Sequence, residues 1–306
     1  MITRYAYGRG TWIDLEHPTE EEVRLIAQEF SIGERLEMEL LSPTPTPLAA
    51  SEGDTSFLVI HFPTHGISDG ETHDQEIDIA VGDDFIITAH YEVVEPLHHL
   101  QKLLETQKLI APKTTLETGV LLEIIFAHLY VAVRNHTDHV ASHLTHIEHE
   151  MFNGLERTTV RAISNVSREF LHIEAALANQ EGALDRFLRT LALRPSPDAA
   201  FGDRSERIRA ERSQVMRLVM TYRAVATELR ETNASLLEAR QNEIMKALTT
   251  ITVLVLPLEL IAVIFGMHAP GTPFEQSPNA FVIIVTLMLA ISGTMMLFFA
   301  RKHWLF

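Results

Sequence analysis

Hydrophobic positions along the chain first alternate, then recur at helical spacing, and finally run together almost without charge. Trp12-Ile13-Asp14-Leu15, Phe57-Leu58-Val59-Ile60-His61-Phe62 and Glu76-Ile77-Asp78-Ile79-Ala80-Val81 predict strands, the last by alternation. Gly82-Asp83-Asp84 predicts a hairpin turn into Phe85–His90. Pro18-Thr19-Glu20-Glu21-Glu22 predicts a helix start with Pro early and acids in its first turn, and Pro43-Thr44-Pro45-Thr46-Pro47 a stiff connector. From Leu97 onward the pattern is helical, with breaks near Pro112 and at Arg194-Pro195-Ser196-Pro197. After Gly202 no Gly occurs before Gly266, and the only Pro is Pro257. This predicts one helix from about Ser205 to Phe265, roughly 90 Å long. Such a helix needs neighbours, so oligomerisation is expected.

Two nearly uncharged runs, Ala247–Phe265 and Ala280–Ala300, are each long enough to cross the hydrocarbon core of a bilayer. Lys246 precedes the first, and Arg301-Lys302-His303 follow the second, while His268–Asn279 carries no Lys or Arg. The positive-inside rule then places both long flanks in the cytoplasm. The start Met1-Ile2-Thr3-Arg4-Tyr5 has no apolar stretch resembling a signal peptide. The expected organisation is an N-terminal part over residues 1–112 and cytoplasmic helices over 113–202. A stalk helix over 203–267 contains the first span at about 247–265. An external loop (268–279), a second span (280–300) and a basic tail (301–306) complete the chain.

Composition sharpens this division. The 306 residues carry a formal charge of −16 and no cysteine. Residues 246–306 hold two acids and three bases, which leaves residues 1–245 at −17. That charge attracts cations and argues against a nucleic-acid partner. Without cysteine there are no disulfides and no thiol chemistry, so any transition-metal site must be built from His, Asp and Glu. Gly66, Gly70 and Gly82 form no phosphate-binding fingerprint, and no spacing suggests a nucleophile, so no enzymatic activity is expected.

Candidate chemistry lies on the first span. Asn242, Met245, Thr249, Thr252, Leu256 and Glu259 are spaced three, four, three, four and three, which places them on one helical face. A carboxylate inside a span is costly unless it meets a cavity, an ion or a partner, so Glu259 is a functional candidate. The competing structural reading has the threonines bonding back to their own helix and Glu259 pairing with a neighbour. Pro257 removes a helical hydrogen bond and is expected to bend the span beside Glu259.

Asn242-Glu243-Ile244-Met245-Lys246-Ala247-Leu248-Thr249, Leu256-Pro257-Leu258 and Phe265-Gly266-Met267 resemble the CorA family of divalent-metal transporters. The ending Arg301-Lys302-His303-Trp304-Leu305 and the N-terminal Trp12-Ile13-Asp14-Leu15 fit the same family. The resemblance covers essentially the whole chain. It implies an α+β cytoplasmic domain (αβα), a long stalk helix and two transmembrane helices, assembled as a pentameric CorA-like funnel. It further implies a homopentamer in a bacterial-type inner membrane, in contact with lipid and with both termini cytoplasmic. Five striped faces would line one pore, with Asn242 as a polar ring at its cytoplasmic mouth. Met245, Leu248 and Leu256 fall where the family narrows that pore with apolar side chains.

Three departures bear on the ion. The family signature Gly-Met-Asn reads Gly266-Met267-His268 here. Magnesium prefers oxygen and keeps its water, whereas imidazole suits zinc, nickel, cobalt or copper. Glu259 stands where the family usually has Thr. At the start of the stalk, Arg204, Arg207, Arg209 and Arg212 lie among Glu206 and Glu211, where carboxylates would be needed for magnesium-bridged gating.

Six of the 16 histidines fall between His128 and His149. His136, His139, His143 and His146 form a stripe that Glu150 continues, and the i, i+4 pair His139/His143 has chelating spacing. The alternative is that these histidines flank an ordinary packed helix whose apolar stripe is Val140, Leu144, Ile147 and Met151. The sequence reading is a divalent-cation channel or transporter with no permanently bound cofactor. Zn2+, Mg2+, Co2+ or Ni2+ would be the transported or regulatory ion, with zinc or another transition metal slightly favoured over magnesium. A transport-inactive membrane metal sensor or scaffold is the alternative, and a membrane-anchored soluble enzyme ranks third.

Overall fold

The computed structural model describes residues 1–65, 72–110, 116–194, 200–267 and 279–301. The expected breaks at Pro112 and Pro195-Ser196-Pro197, the glycines Gly66 and Gly70, His268 with most of the external loop, and Lys302–Phe306 of the tail lie outside those residues. The chain forms two compact units, Met1–Arg230 and Glu231–Phe306.

The first unit is built on a six-stranded sheet ordered β1-β2-β6-β5-β4-β3. Its strands are β1 (Ile2–Tyr7), β2 (Gly10–Glu16), β3 (Leu48–Glu52), β4 (Thr55–His65), β5 (Thr72–Val81) and β6 (Phe85–His90). Strands β3 to β6 run as an antiparallel meander, and the β1–β2 hairpin joins it through a parallel pairing of β2 with β6, Thr11 opposite Phe85 and Glu16 opposite His90. Phe57, Leu58, Val59 and Ile60 are all fully buried, as expected for a strand covered on both faces. On one face, Phe57, Val59, Ile87 and Ala89 pack against Val23 and Ile26 of α1 (Glu20–Glu29) and Leu36 of α2 (Glu34–Glu39). On the other, Phe62 meets Tyr130 edge-on at 5.5 Å, and Gln180 donates to the His61 carbonyl at 3.1 Å. The sheet therefore lies between two helical layers. Pro18 precedes the first of these helices rather than opening it. Thr19 is the N-cap, in a reciprocal capping box with Glu22.

The second layer holds α3 (Glu95–Ile110), α4 (Thr118–Phe152) and α5 (Glu156–Ala192). The sequence pattern runs straight through the junction of α4 and α5, but the helix stops at Asn153, and Gly154 takes φ +88°, which only glycine adopts easily. The apolar stripe Val140, Leu144, Ile147 and Met151 is buried along α4. The first part of α6 (Phe201–Gly266) buries Ile208, Val215, Val219 and Ala226 at heptad-like spacing, and its Tyr222 stacks on Phe170 of α5 at 5.9 Å. The second unit consists of the remainder of α6 and of α7 (Ala280–Arg301).

Candidate functional site

Among the described residues, three helices are long and apolar enough to cross a membrane, and burial separates them. The apolar window of α4 is 44% buried within its own unit, which makes it a core helix. Those of α6 and α7 are 6% and 0% buried. Large apolar side chains left facing outward on this scale need lipid or other copies of the chain to cover them.

Asn242, Met245, Leu248, Thr249, Thr252, Leu256 and Glu259 are all exposed on α6 in the single chain. At about 100° per residue, the six-residue stripe occupies an arc of about 100°, with Leu248 just beside it. The Thr252 hydroxyl bonds back to the Leu248 carbonyl at 2.9 Å, the structural alternative foreseen for these threonines. Thr250, absent from the sequence-based set, is alone buried among residues 242–259, and its hydroxyl has no hydrogen-bond partner. Gly266 ends α6, and the Met267 amide donates to Val263 at 3.1 Å.

The four stalk arginines are engaged within the chain. Arg207 and Arg204 both reach Glu123 of α4, at 2.5 and 3.4 Å. Arg209 pairs with Asp185 of α5 at 2.9 Å. Arg212, only 8% exposed, donates to the Leu177 carbonyl at 2.8 Å and pairs with Glu181 at 2.9 Å. These side chains tie α6 to α4 and α5. The Arg207 and Arg204 hydrogen bonds also hold the Glu123 carboxyl below the usual range.

The histidine stripe divides by direction. His136, turned toward α5, approaches Glu169 at 3.3 Å, and the exposed His146 approaches Glu150 at the same distance. The rings of His139 and His143 meet edge-to-face with centroids 5.1 Å apart. Among the described residues, no three His, Asp or Glu side chains converge as they would on a metal ion.

Sequence reasoning overlooked two polar clusters on the sheet. Asp14 of β2 is buried and accepts from Thr88, whose hydroxyl in turn accepts from Trp12 at 3.0 Å. Gln101 donates to Asp14 at 2.7 Å, and His90 lies 3.2 Å from it. Burial opposes protonation of His90, but the bond to Asp14 and its charge outweigh that and raise the His90 pKa.

On the opposite face, Asp74, Glu76 and Asp78 alternate along β5 with Ile77 and Ile79, the signal that could have placed these acids together. Glu76 accepts from the Thr44 amide at 2.8 Å and lies 3.6 Å from His61, beside a cavity of about 330 Å3. Asp78 is fully buried, and one of its oxygens has no hydrogen-bond partner. Burial first, then the charge of Glu76 and a hydrogen bond shared with it, push the Asp78 carboxyl well above its ordinary range, while Tyr91 bonds to it and Glu39 adds further negative charge. The folded protein therefore holds this proton more tightly than the unfolded chain. Its stabilisation is greatest in acid and is lost as pH rises through the raised pKa. Once pH has risen through that raised pKa, Asp78→Asn is expected to be more stable than the parent by about 1–2 kcal/mol, or roughly 3–6 °C of melting temperature. It should also flatten the decline in stability as pH rises. Thermal scans from acid to alkaline pH test this, and a variant whose stability falls with pH as steeply as the parent's refutes it.

Residues 8–301 match the family described as CorA-like Mg2+ transporter protein. The chain is 22% identical over 300 residues to the cobalt/magnesium transport protein CorA of Methanocaldococcus jannaschii, spanning 97% of this chain and 92% of that one. It is 21% identical over 302 residues to the putative metal ion transporter YfjQ of Bacillus subtilis, spanning 96% and 89%. Among solved structures, the complete CorA magnesium transporter of M. jannaschii superposes with a TM-score of 0.83 at 21% identity, covering 97% of this chain and 92% of that chain. A match from the β1–β2 turn to the last residue of α7 takes in strands β2 to β6, the helical layers and both apolar helices, and the chain belongs to the CorA-like Mg2+ transporter family.

Proposed function

We propose that this chain assembles as a homopentamer in a bacterial-type inner membrane, with both termini in the cytoplasm, and conducts divalent cations through a pore lined by five copies of α6. The observation that carries this reading is the stripe from Asn242 to Glu259, polar and carboxylate groups along one exposed face of a helix otherwise apolar enough to cross a bilayer. Asn242 forms the mouth, Met245, Leu248 and Leu256 the apolar constriction, Thr249 and Thr252 hydroxyl rings, and Glu259 a carboxylate ring that concentrates cations. The match to relatives named for cobalt and magnesium transport supports a divalent cargo.

Within that class, a transition metal is favoured over magnesium. Gly266-Met267-His268 presents imidazole where the family signature presents an amide, and nitrogen donors prefer late first-row ions to Mg2+. Flux into liposomes, with Zn2+ and Mg2+ in competition, tests both levels. The parent protein is expected to pass Zn2+ ahead of Mg2+, and His268→Asn to reverse that order by about tenfold, the size of one lost metal–ligand preference. An unchanged order overturns the role of His268.

The second reading, a transport-inactive membrane metal sensor, draws on the stalk arginines, whose intrachain pairs occupy the place expected to hold gating carboxylates. Absence of flux for zinc, cobalt, nickel and magnesium alike would favour it.

A further inference from the structure

We propose that His139 and His143 form a two-imidazole chelate for a late first-row transition cation on the solvent face of α4, separate from the pore. The pair is one helical turn apart near the middle of a 35-residue helix, and both side chains are exposed. Buried Val140 and Leu144 anchor the backbone on either side, so the two imidazoles project from a fixed frame.

The distance between the rings fits the task. Imidazole nitrogen binds zinc at about 2.0–2.1 Å, which puts each ring centroid roughly 3.2 Å from the ion. Two such rings at an angle of about 100–110° have centroids about 5 Å apart. The rings of His139 and His143 are 5.1 Å apart, the separation the chelate needs, and rotation of the side chains out of their edge-to-face packing would turn one nitrogen of each toward a shared ion. The neighbouring histidines are directed elsewhere, His136 to Glu169 and His146 to Glu150. Asp138 accepts from Tyr222 at 3.2 Å. The site is therefore bidentate, with water filling the remaining positions. Two neutral nitrogen donors select Zn2+, Ni2+, Co2+ or Cu2+ and give Mg2+ no advantage over water.

The test uses the full chain in detergent, titrated with Ni2+ and Zn2+ by calorimetry and with Cu2+ followed by electron paramagnetic resonance. The parent should bind one ion per chain at this site, with two nitrogens in the Cu2+ spectrum, and a hundredfold excess of Mg2+ should leave it bound. His139→Ala and His143→Ala should each weaken this binding at least tenfold, because the second imidazole acts at the high effective concentration of an intramolecular ligand. His149→Ala, which removes another exposed histidine of α4, should leave it unchanged. Equal binding in the parent and the two pair variants, displacement by Mg2+, or an equal loss in His149→Ala each overturns the proposal. Because the readout is binding and not flux, failure here leaves the pore reading standing, and failure of flux leaves this site standing.

Discussion

Glu259→Lys is expected to abolish divalent-cation flux in liposomes while the purified protein keeps its assembly and helix content. In the proposed pentameric pore, this substitution would replace five carboxylates with five ammonium groups around the path of a doubly charged ion. At about 6 Å, each ammonium repels such an ion by roughly 1.4 kcal/mol even in the dielectric of bulk water, and five sum to roughly 7 kcal/mol. If screening removes half of this, flux still falls by more than about 100-fold, since 1.4 kcal/mol is a factor of ten. Glu259→Gln removes the attraction without adding repulsion and should cost about tenfold or less. Radiotracer or fluorescent-dye uptake distinguishes the two. Full flux in Glu259→Lys would mean that this face of α6 does not line the path. The side chain would then pair with a neighbour, as the structural alternative holds.

The second large effect is on stability. Arg212→Ala is expected to lower the melting temperature by about 5–10 °C, through a loss of about 2–3 kcal/mol. The guanidinium is buried between α6 and α5, donates to the Leu177 carbonyl and pairs with Glu181. Alanine leaves that carbonyl without its charged donor and removes the aliphatic stem that packs with it. Arg209→Ala, which breaks a partly exposed pair with Asp185, should cost less than about 1 kcal/mol. Equal melting temperatures for the two variants would show that burial of Arg212 contributes nothing.

The central strands and long helices were legible in the sequence because burial wrote a period into them. Phe57–Phe62 and Phe85–His90 are covered on both faces, and their apolar runs say so. Strands β1 and β3 were not legible. They lie at the edges of the sheet, only partly buried, and Ile2–Tyr7 and Leu48–Glu52 carry small and polar residues. The stop between α4 and α5 was signalled by Asn153-Gly154, but apolar periodicity on either side overrode it.

The candidate sites divide in the same way. The α6 stripe could be read because a single helix fixes relative direction by spacing alone. The Asp14 network could not, since it joins β2, β6 and α3, whose pairing no local pattern records. The histidine stripe looked uniform because spacing says nothing about what lies opposite each residue. Glu169, on α5, draws His136 away from the group. The arginines at the stalk start looked like a lost gating site, and their partners on α4 and α5 became visible only in three dimensions.

The parallel pairing of β2 with β6 sets an order of events during synthesis. The β1–β2 hairpin leaves the ribosome early, but an isolated hairpin is marginal in water, and its partner strand arrives only with Phe85–His90. Closing that long connection is a slow step that local contacts cannot hurry. Every strand of the sheet nevertheless precedes the apolar stretch beginning at Ala247. The sheet can therefore be complete before the translocation machinery engages the first hydrophobic segment, and folding of the first unit need not compete with membrane insertion.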